Sequence, residues 1–223
     1  KIFEGVTVEK ILINNTTVKG VLTNQGEIKS EWTIICGGMW ARQLGMDIGI
    51  DIPLYPVEHH YVISEPVQGI NADLPCTREP NEMIYFRSED DGGIRLGGFQ
   101  KISKPWEIKR IPNDFSFKLF DPDWEFFKQP LEAGKKRIPE LQECNFPKFV
   151  NGPESFTPDN NFIMGVPACC NGLFVLAGFN SVGIASAGGA GKYASEWLDA
   201  GYPTMDLWSV DIRRFTSVQN DTE

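Results

Sequence analysis

Apolar and polar positions alternate along the first third of the chain and give way to runs of small residues near its end. Residues 6–13, VTVEKILI, are rich in β-branched side chains, which suit a pleated, half-buried surface. After the polar NNTT come VKGVL, the turn signal TNQGE, then IKSEW and TIICGG. This succession predicts a small β-meander feeding a buried strand that ends at Gly37 and Gly38, with a short helix or turn over residues 40–44.

Beyond residue 46 the spacing of Pro and Gly changes, and strand patterns recur at 57–64, 83–88 and 94–99. They predict a separate, mostly antiparallel sheet. In VEHHYVIS the period of two puts Val57, His59, Tyr61 and Ile63 on one face, with Glu58, His60, Val62 and Ser64 on the other. DPDWEFFKQPLEAGKKRIPEL opens with a helix cap at Asp121 and Pro122 in the first helical position. Pro130 lacks the amide that a helix interior uses and Gly134 weakens the turn after it, so two short helical pieces are expected.

The stretch GLFVLAGFNSVGIASAGGAGKYASEWL reads as a buried strand ending near Ala177 and Gly178, then a helix from Val182 or Gly183 to about Leu198. Asn180 and Ser181 are the expected capping residues. Gly183, Gly188, Gly189 and Gly191 leave the first half of that helix without bulk. Its free first-turn amides suit an electron-rich oxygen, while the same small residues suit close packing on a sheet. Pattern alone leaves both readings open. The glycines do not form the dinucleotide fingerprint G-x-G-x-x-G, and Lys192 lies too far into the helix for a phosphate loop.

Charge and residue usage narrow the chemistry. Among 223 residues, 30 acidic groups outnumber 21 basic ones, for a net charge of -9, and no basic stripe interleaved with aromatics occurs, so no nucleic-acid partner is expected. The 5 cysteines are odd in number and lack a C-x-x-C spacing, which suggests neither a disulfide framework nor a zinc site, and points to a reducing compartment. His59 and His60 are the only histidines, so no metal site built on several imidazoles is expected and these two residues become the prime acid/base candidates. No apolar run is long enough to span a bilayer, and no signal-like segment opens the chain. The start on a strand pattern without an initiator Met reads as a fragment.

Seven segments together carry a resemblance: GVTVEKI, IICGGMWARQLG, PVEHHYVISEP, MIYFRSEDDGGIRLGGF, NGPESFTPD, GFNSVGIASAGGAGKYASEWL and DLWSVDIRRF. In this order the sequence resembles the FAD-dependent amine oxidoreductases of the D-amino acid oxidase superfamily, in particular the dimethylglycine and sarcosine dehydrogenase branch. The resemblance implies a mixed α/β (α+β) fold of the glutathione-reductase-like superfamily: part of a Rossmann-like FAD-binding domain, residues 1–45 and 151–201, plus an antiparallel-sheet substrate domain, residues 46–150. Residues 202–223 would connect to a further, folate-binding domain, which makes tetrahydrofolate a second cofactor of the whole protein.

The resemblance also implies roles. Val8 matches the position whose backbone meets the adenine of FAD, Gly37 and Trp40 match the motif beside the cofactor, and Phe179, Asn180, Ser181, Val182, Gly183 and Ile184 match the turn and helix start lying against the flavin ring. His59 and Tyr85 match residues on the substrate side; by the period of two alone, Tyr61 shares the His59 face as a substrate or core residue, and Arg87 shares the Tyr85 face, where it would hold a substrate carboxylate or make an exposed salt bridge. HHY stands where relatives often have His-Gln-Tyr. The implied reaction is oxidative demethylation of an N-methylated glycine by hydride transfer to FAD, with electrons passed to a further acceptor, in the mitochondrial matrix of a eukaryote or otherwise the cytoplasm. The alternatives are a non-catalytic protein like the regulatory subunit of pyruvate dehydrogenase phosphatase, and a D-amino acid or glycine oxidase.

Overall fold

The computed structural model describes residues 1–106 and 109–220. The chain divides into two compact units, one made of Lys1–Pro56, Ile108–Ile111 and Ser155–Glu223, the other of Val57–Glu107 and Pro112–Glu154.

In the first unit, β1 (Val8–Asn14), β2 (Thr17–Thr23) and β3 (Gly26–Lys29) form the expected antiparallel meander. Its second turn is fastened by the Thr23 hydroxyl, which donates to the Gly26 carbonyl at 2.7 Å. The next strand, β4 (Thr33–Ile35), leads through a single turn over Gly38–Trp40 into the short helix α1 (Ala41–Met46), close to the predicted 40–44.

The second unit's strands are β5 (Tyr55–Ile63), β6 (Thr77–Glu79), β7 (Ile84–Ser88), β8 (Ile94–Gly98), β9 (Lys104–Pro105) and, after a helix, β10 (Lys148–Phe156). The sheet order is β10-β5-β8-β7-β6, with β9 also on β5. Its apolar side gathers Val62, Ile84, Leu96, Phe127 and Ala133.

The helix, α2 (Trp124–Arg137), corrects the sequence reading, because it is continuous through Pro130 and its cap is Asp123 rather than Asp121. Asp123 Oδ1 accepts from the Phe126 amide at 2.9 Å. An interior proline costs roughly 3 kcal/mol, largely because it leaves the carbonyl four residues back without its donor. Here that carbonyl belongs to Phe126, and the Gln100 side-chain amide donates to it at 3.3 Å. Pro130 and Gly134 face β8 at close quarters. A Cβ on Gly98 would stand 2.6 Å from Pro130 Cγ, and one on Gly134 would stand 2.2 Å from Leu96 Cδ2.

The chain then returns to the first unit through β11 (Ile163–Gly165) and β12 (Leu173–Ala177), with β12 parallel to β4 and antiparallel to β11. Leu173, Val175 and Ala177 enter one core cluster with Ile11, Ile35, Ile52 and Leu54, while Phe174 enters another with Met164 and Trp197. Burial on both faces accounts for the unbroken apolar run.

Helix α3 (Gly183–Ala200) packs by Ala190, Ala194 and Trp197, spaced four and three apart on one stripe, and ends at Gly201 with φ +81 and its amide on the Trp197 carbonyl. One expectation about this helix is corrected. Its N-cap is Val182, which supplies no side-chain cap, rather than Asn180 or Ser181. A Cβ at Gly188, Gly189 or Gly191 would meet nothing within 4 Å among the described residues. Beyond α3, Val210 and Ile212 are buried, and Asp211 receives the Arg213 guanidinium at 2.6 Å.

If α2 lies this close to β8, Gly134→Val should lower unfolding stability by about 1–3 kcal/mol through overpacking, despite removing a helix glycine. Urea denaturation checks it, and an unchanged or raised midpoint would contradict the packing.

Candidate active site

The open face of the second unit's sheet is assembled by cross-strand register. Gly97 of β8 stands opposite Tyr61 of β5 and opposite Tyr85 of β7, so these three positions form one row across the sheet. The Tyr85 ring lies directly over the glycine, where a Cβ would fall 2.1 Å from its Cζ. That placement brings Tyr85 Oη to 3.0 Å from His59 Nε2, with the two rings parallel to within 2°. Phe99 walls the pair, its centroid 4.9 Å from that of His59 and 5.4 Å from that of Tyr85. Behind it, the Arg78 guanidinium sits 4.9 Å over the Phe99 ring.

Burial pushes the His59 imidazole below its ordinary pKa, opposed by the charge of Glu154, whose Oε2 is 3.7 Å from Nδ1. The Tyr85 phenol is pushed well above its ordinary range, first by burial and then by Glu154. At neutral pH the pair is therefore a protonated phenol and a neutral imidazole, and the ring tautomer sets which of the two donates between Tyr85 Oη and His59 Nε2. Such a ring accepts a proton without first losing one.

Tyr61 shares this face as predicted, and the Arg95 guanidinium covers its ring at 4.8 Å. Arg95 is held by Glu89 at 2.8 Å, and the exposed Arg87 pairs with the same carboxylate at 3.3 Å.

His60 points the other way, fully buried among the rings of Phe126, Phe127 and Phe149. Its Nε2 lies 3.4 Å from Glu58 Oε2, yet neither ring nitrogen makes an aligned hydrogen bond. Burial lowers its pKa, with Glu58 opposing. Glu58 also meets Lys104 at 3.2 Å and the Asn151 side-chain amide at 2.6 Å, and Lys104 meets Asp123 at 2.8 Å.

In the first unit, the turn from β12 to α3 runs through Asn180 and Ser181, both in the left-handed region at φ 50 and 71. Asn180 is engaged with Thr157: its Oδ1 accepts from the Thr157 amide at 2.8 Å and its Nδ2 donates to the Thr157 hydroxyl at 3.1 Å. Phe179 stacks on Phe162 with centroids 4.8 Å apart. Beyond the turn, Val182 and Ile184 are exposed at 47% and 100%, and a Cβ on Gly183 would approach only the Phe179 side chain, at 3.4 Å. A helix start without a side-chain cap, flanked by exposed apolar groups and bare at Gly183, fits the edge of a flat, electron-rich ring. Gly37 and Trp40 lie in the turn before α1, where the Gly37 carbonyl accepts from the Trp40 amide at 3.1 Å. Val8 opens β1 opposite Thr23, 42% exposed. No group of three or more metal-binding side chains occurs among the described residues. None of their helices is long and apolar enough to cross a membrane.

The family described as FAD dependent oxidoreductase (DAO) matches residues 1–197. The chain belongs to it. Members of this family are FAD-binding flavoproteins, and the mixed α/β fold with antiparallel sheets is theirs. The chain is 38% identical to the 4-methylaminobutanoate oxidase (formaldehyde-forming) of Paenarthrobacter nicotinovorans, over 99% of its own length and 27% of the relative's. It is 36% identical to the mitochondrial pyruvate dehydrogenase phosphatase regulatory subunit of Mus musculus, over 99% of its length and 25% of the relative's. It is 37% identical to the mitochondrial sarcosine dehydrogenase of Homo sapiens, over 89% and 21%. The L-proline dehydrogenase of P. horikoshii superposes with a TM-score of 0.80 at 27% identity, covering 96% of this chain and 55% of that one. This DAO-family chain therefore spans about a quarter of the curated relatives it matches.

Sequence reasoning missed Gly97, Phe99, Arg95 and Glu154. Gly97, Phe99 and Arg95 lie in the segment MIYFRSEDDGGIRLGGF and Glu154 in NGPESFTPD, so the signal was present and the pairing that assigns it was not.

On the open face, Gly97→Ala should displace the Tyr85 ring and abolish its bond to His59, which a crystal structure of the variant will show; an unmoved ring would contradict the close approach. Both histidines have lowered pKa values in the fold, so the unfolded chain takes up protons near pH 6.5 that the fold refuses. Stability is therefore expected to fall as pH drops through about 6.5 and below, and His60→Leu to flatten that slope in urea titrations at pH 5 to 7; an identical slope would refute the buried neutral ring.

Proposed function

We propose that the protein containing this chain oxidises an N-methylated amino acid, of the sarcosine, dimethylglycine or 4-methylaminobutanoate class, by flavin-dependent removal of hydride. The observation that carries the reading is the His59–Tyr85 pair, two half-buried and mutually hydrogen-bonded proton-transfer groups on one sheet face. It is supported by the family and by the relatives that act on N-methylated amines. FAD, when bound, supplies the hydride acceptor.

The residues of this chain do the rest. A substrate amine is an ammonium ion in water and gives up hydride only as the free base. His59, neutral and open to protonation at Nε2, takes that proton through Tyr85, whose phenol orients the amine. The uncapped start of α3, from Asn180 to Ile184, holds the ring edge, and its dipole stabilises negative charge that develops there. Gly37, Trp40 and Val8 line the remainder of the cofactor path as the resemblance implies. An electron acceptor and a folate-binding domain belong to the same reading. So does a mitochondrial matrix location in a eukaryote, which the mitochondrial relatives support, or a cytoplasmic one in a bacterium.

The similarity to the phosphatase regulatory subunit, over 99% of the chain, favours a second reading in which the fold serves regulation without turnover. The visible spectrum of the full-length protein separates the two. Flavin absorbance that is bleached anaerobically by sarcosine, dimethylglycine or 4-methylaminobutanoate is the expected result, and flavin that none of them bleaches would sink the amine-oxidising reading. In the same assay His59→Ala is expected to slow flavin reduction by about 10²-fold or more, the usual scale of a positioned general base, whereas an unaltered rate would return His59 to a structural role. Gly183→Val should lower flavin content per chain, because its side chain fills the bare helix start; full occupancy would remove α3 from the ring.

A further inference from the structure

Among the described residues, Glu154 is the carboxylate placed against the His59 ring, at 3.7 Å from Nδ1, on the nitrogen opposite the one that meets Tyr85. It reaches that position from β10, which neighbours β5 in the sheet. The two ring nitrogens of His59 thus face two different groups, a phenol that can donate or accept and a carboxylate that only accepts. A neutral imidazole has one proton to place, and the proton settles on the nitrogen that faces the carboxylate. We propose that Glu154 is a positioning residue: its carboxylate holds the His59 proton on Nδ1, leaves Nε2 free as the acceptor, and stabilises the imidazolium that forms when Nε2 is protonated.

The inference rests on the amine-oxidising reading for its purpose, and on the geometry alone for its physical content. Burial makes the His59 ring a poor base, because a charged imidazolium in a low-dielectric setting is disfavoured. An adjacent carboxylate offsets that loss, and a pair separated by 3.7 Å and partly shielded from water is coupled more strongly than one at the surface. The other titratable and charged groups around the pair do not take this role. Tyr61 and Cys76 act on Tyr85 only in raising its pKa, and Arg95 carries the opposite sign. Arg78 is separated from His59 by the Phe99 ring. His60 and its partner Glu58 lie on the other face of β5. The proton balance is simple: one proton leaves the substrate ammonium, the Tyr85 hydroxyl passes its own proton to Nε2 while accepting that one, and the resulting positive charge lies beside Glu154.

The test uses the full-length holoenzyme with isotope-labelled histidine, the His59 signals being assigned by their loss in His59→Gln. Ring nitrogen shifts of the wild type should show the proton on Nδ1; a neutral ring protonated at Nε2 would overturn the proposal without any Glu154 variant. Glu154→Gln, which keeps the shape and removes the charge, should lower the His59 titration midpoint by about one pH unit or more, while Glu154→Asp retains most of it. The acid limb of flavin reduction should move to lower pH by the same amount, since His59 without the carboxylate stays neutral further into the acid range. An E154Q protein with an unmoved midpoint and an unmoved acid limb, slower only by a constant factor, would reduce Glu154 to ordinary structure. Flavin that no N-methylated amine bleaches would instead sink the functional reading, and the nitrogen shifts would still decide the contact.

Discussion

The period of two along β5 forces two adjacent imidazoles into opposite environments, and much of the second unit is arranged around that constraint. His59 shares its face with Tyr85 and Phe99 and meets the Tyr85 hydroxyl through Nε2. His60 is sealed among three phenylalanine rings, two of them from α2. The sealed face fixes the open one. Glu58 beside His60 is tied to Lys104 of β9 and to Asn151 of β10, and Lys104 to the cap of α2, so the strand that carries His59 is fastened from behind to three elements. Individually these part-exposed ion pairs contribute little, about 0–1 kcal/mol each, and their effect is to fix position rather than to add stability.

Three consecutive residues of β8 show how the sheet admits both faces at close range. Leu96 packs against Gly134 of α2, Gly97 lies under the Tyr85 ring, and Gly98 lies under Pro130. Strand glycines are unfavourable by roughly 0.5–1 kcal/mol each relative to alanine. The pair at 97 and 98 is used because opposite faces each need the space of one missing methyl group: Tyr85 must cross β8 to reach His59, and the proline of α2 must sit down on the same strand. Proline in the helix and glycine in the strand are therefore one solution, and neither is explained by its own element.

This is also why the sequence was legible in some places and closed in others. The strands were readable because alternation is a local signal, and His59, Tyr61 and Tyr85 could be placed on a face from it. The break expected at Pro130 was a sound local inference, but the donor that relieves it, Gln100, comes from 26 residues away from Phe126. Asn180 has the composition of a cap, yet its side chain is spent on Thr157, 23 residues earlier. Glu154 was invisible for the same reason: what makes it a partner of His59 is the placement of β10 beside β5, which no spacing along the chain announces.

Helix α3 brings the two kinds of constraint together along a single element. From the middle of the helix to its end, burial through Ala190, Ala194 and Trp197 fixes its direction. Ahead of that stripe Ile184 stands fully exposed, and a Cβ at Gly188, Gly189 or Gly191 would meet nothing within 4 Å among the described residues. Two consecutive non-glycine residues with positive φ precede it, a conformation that costs of order 1 kcal/mol or more at each and persists only where neighbours enforce it. The bonds from Asn180 to Thr157 supply that enforcement. A helix anchored by its far half, entered through a strained turn that is held from outside, presents its amides in a fixed direction without a side chain of its own to quench them. That is the electrostatic condition for the ring-facing role proposed at Gly183 and Ile184, whose first-turn amides have no intrahelical acceptor, while the Val182 amide is held by the Phe179 carbonyl at 3.0 Å.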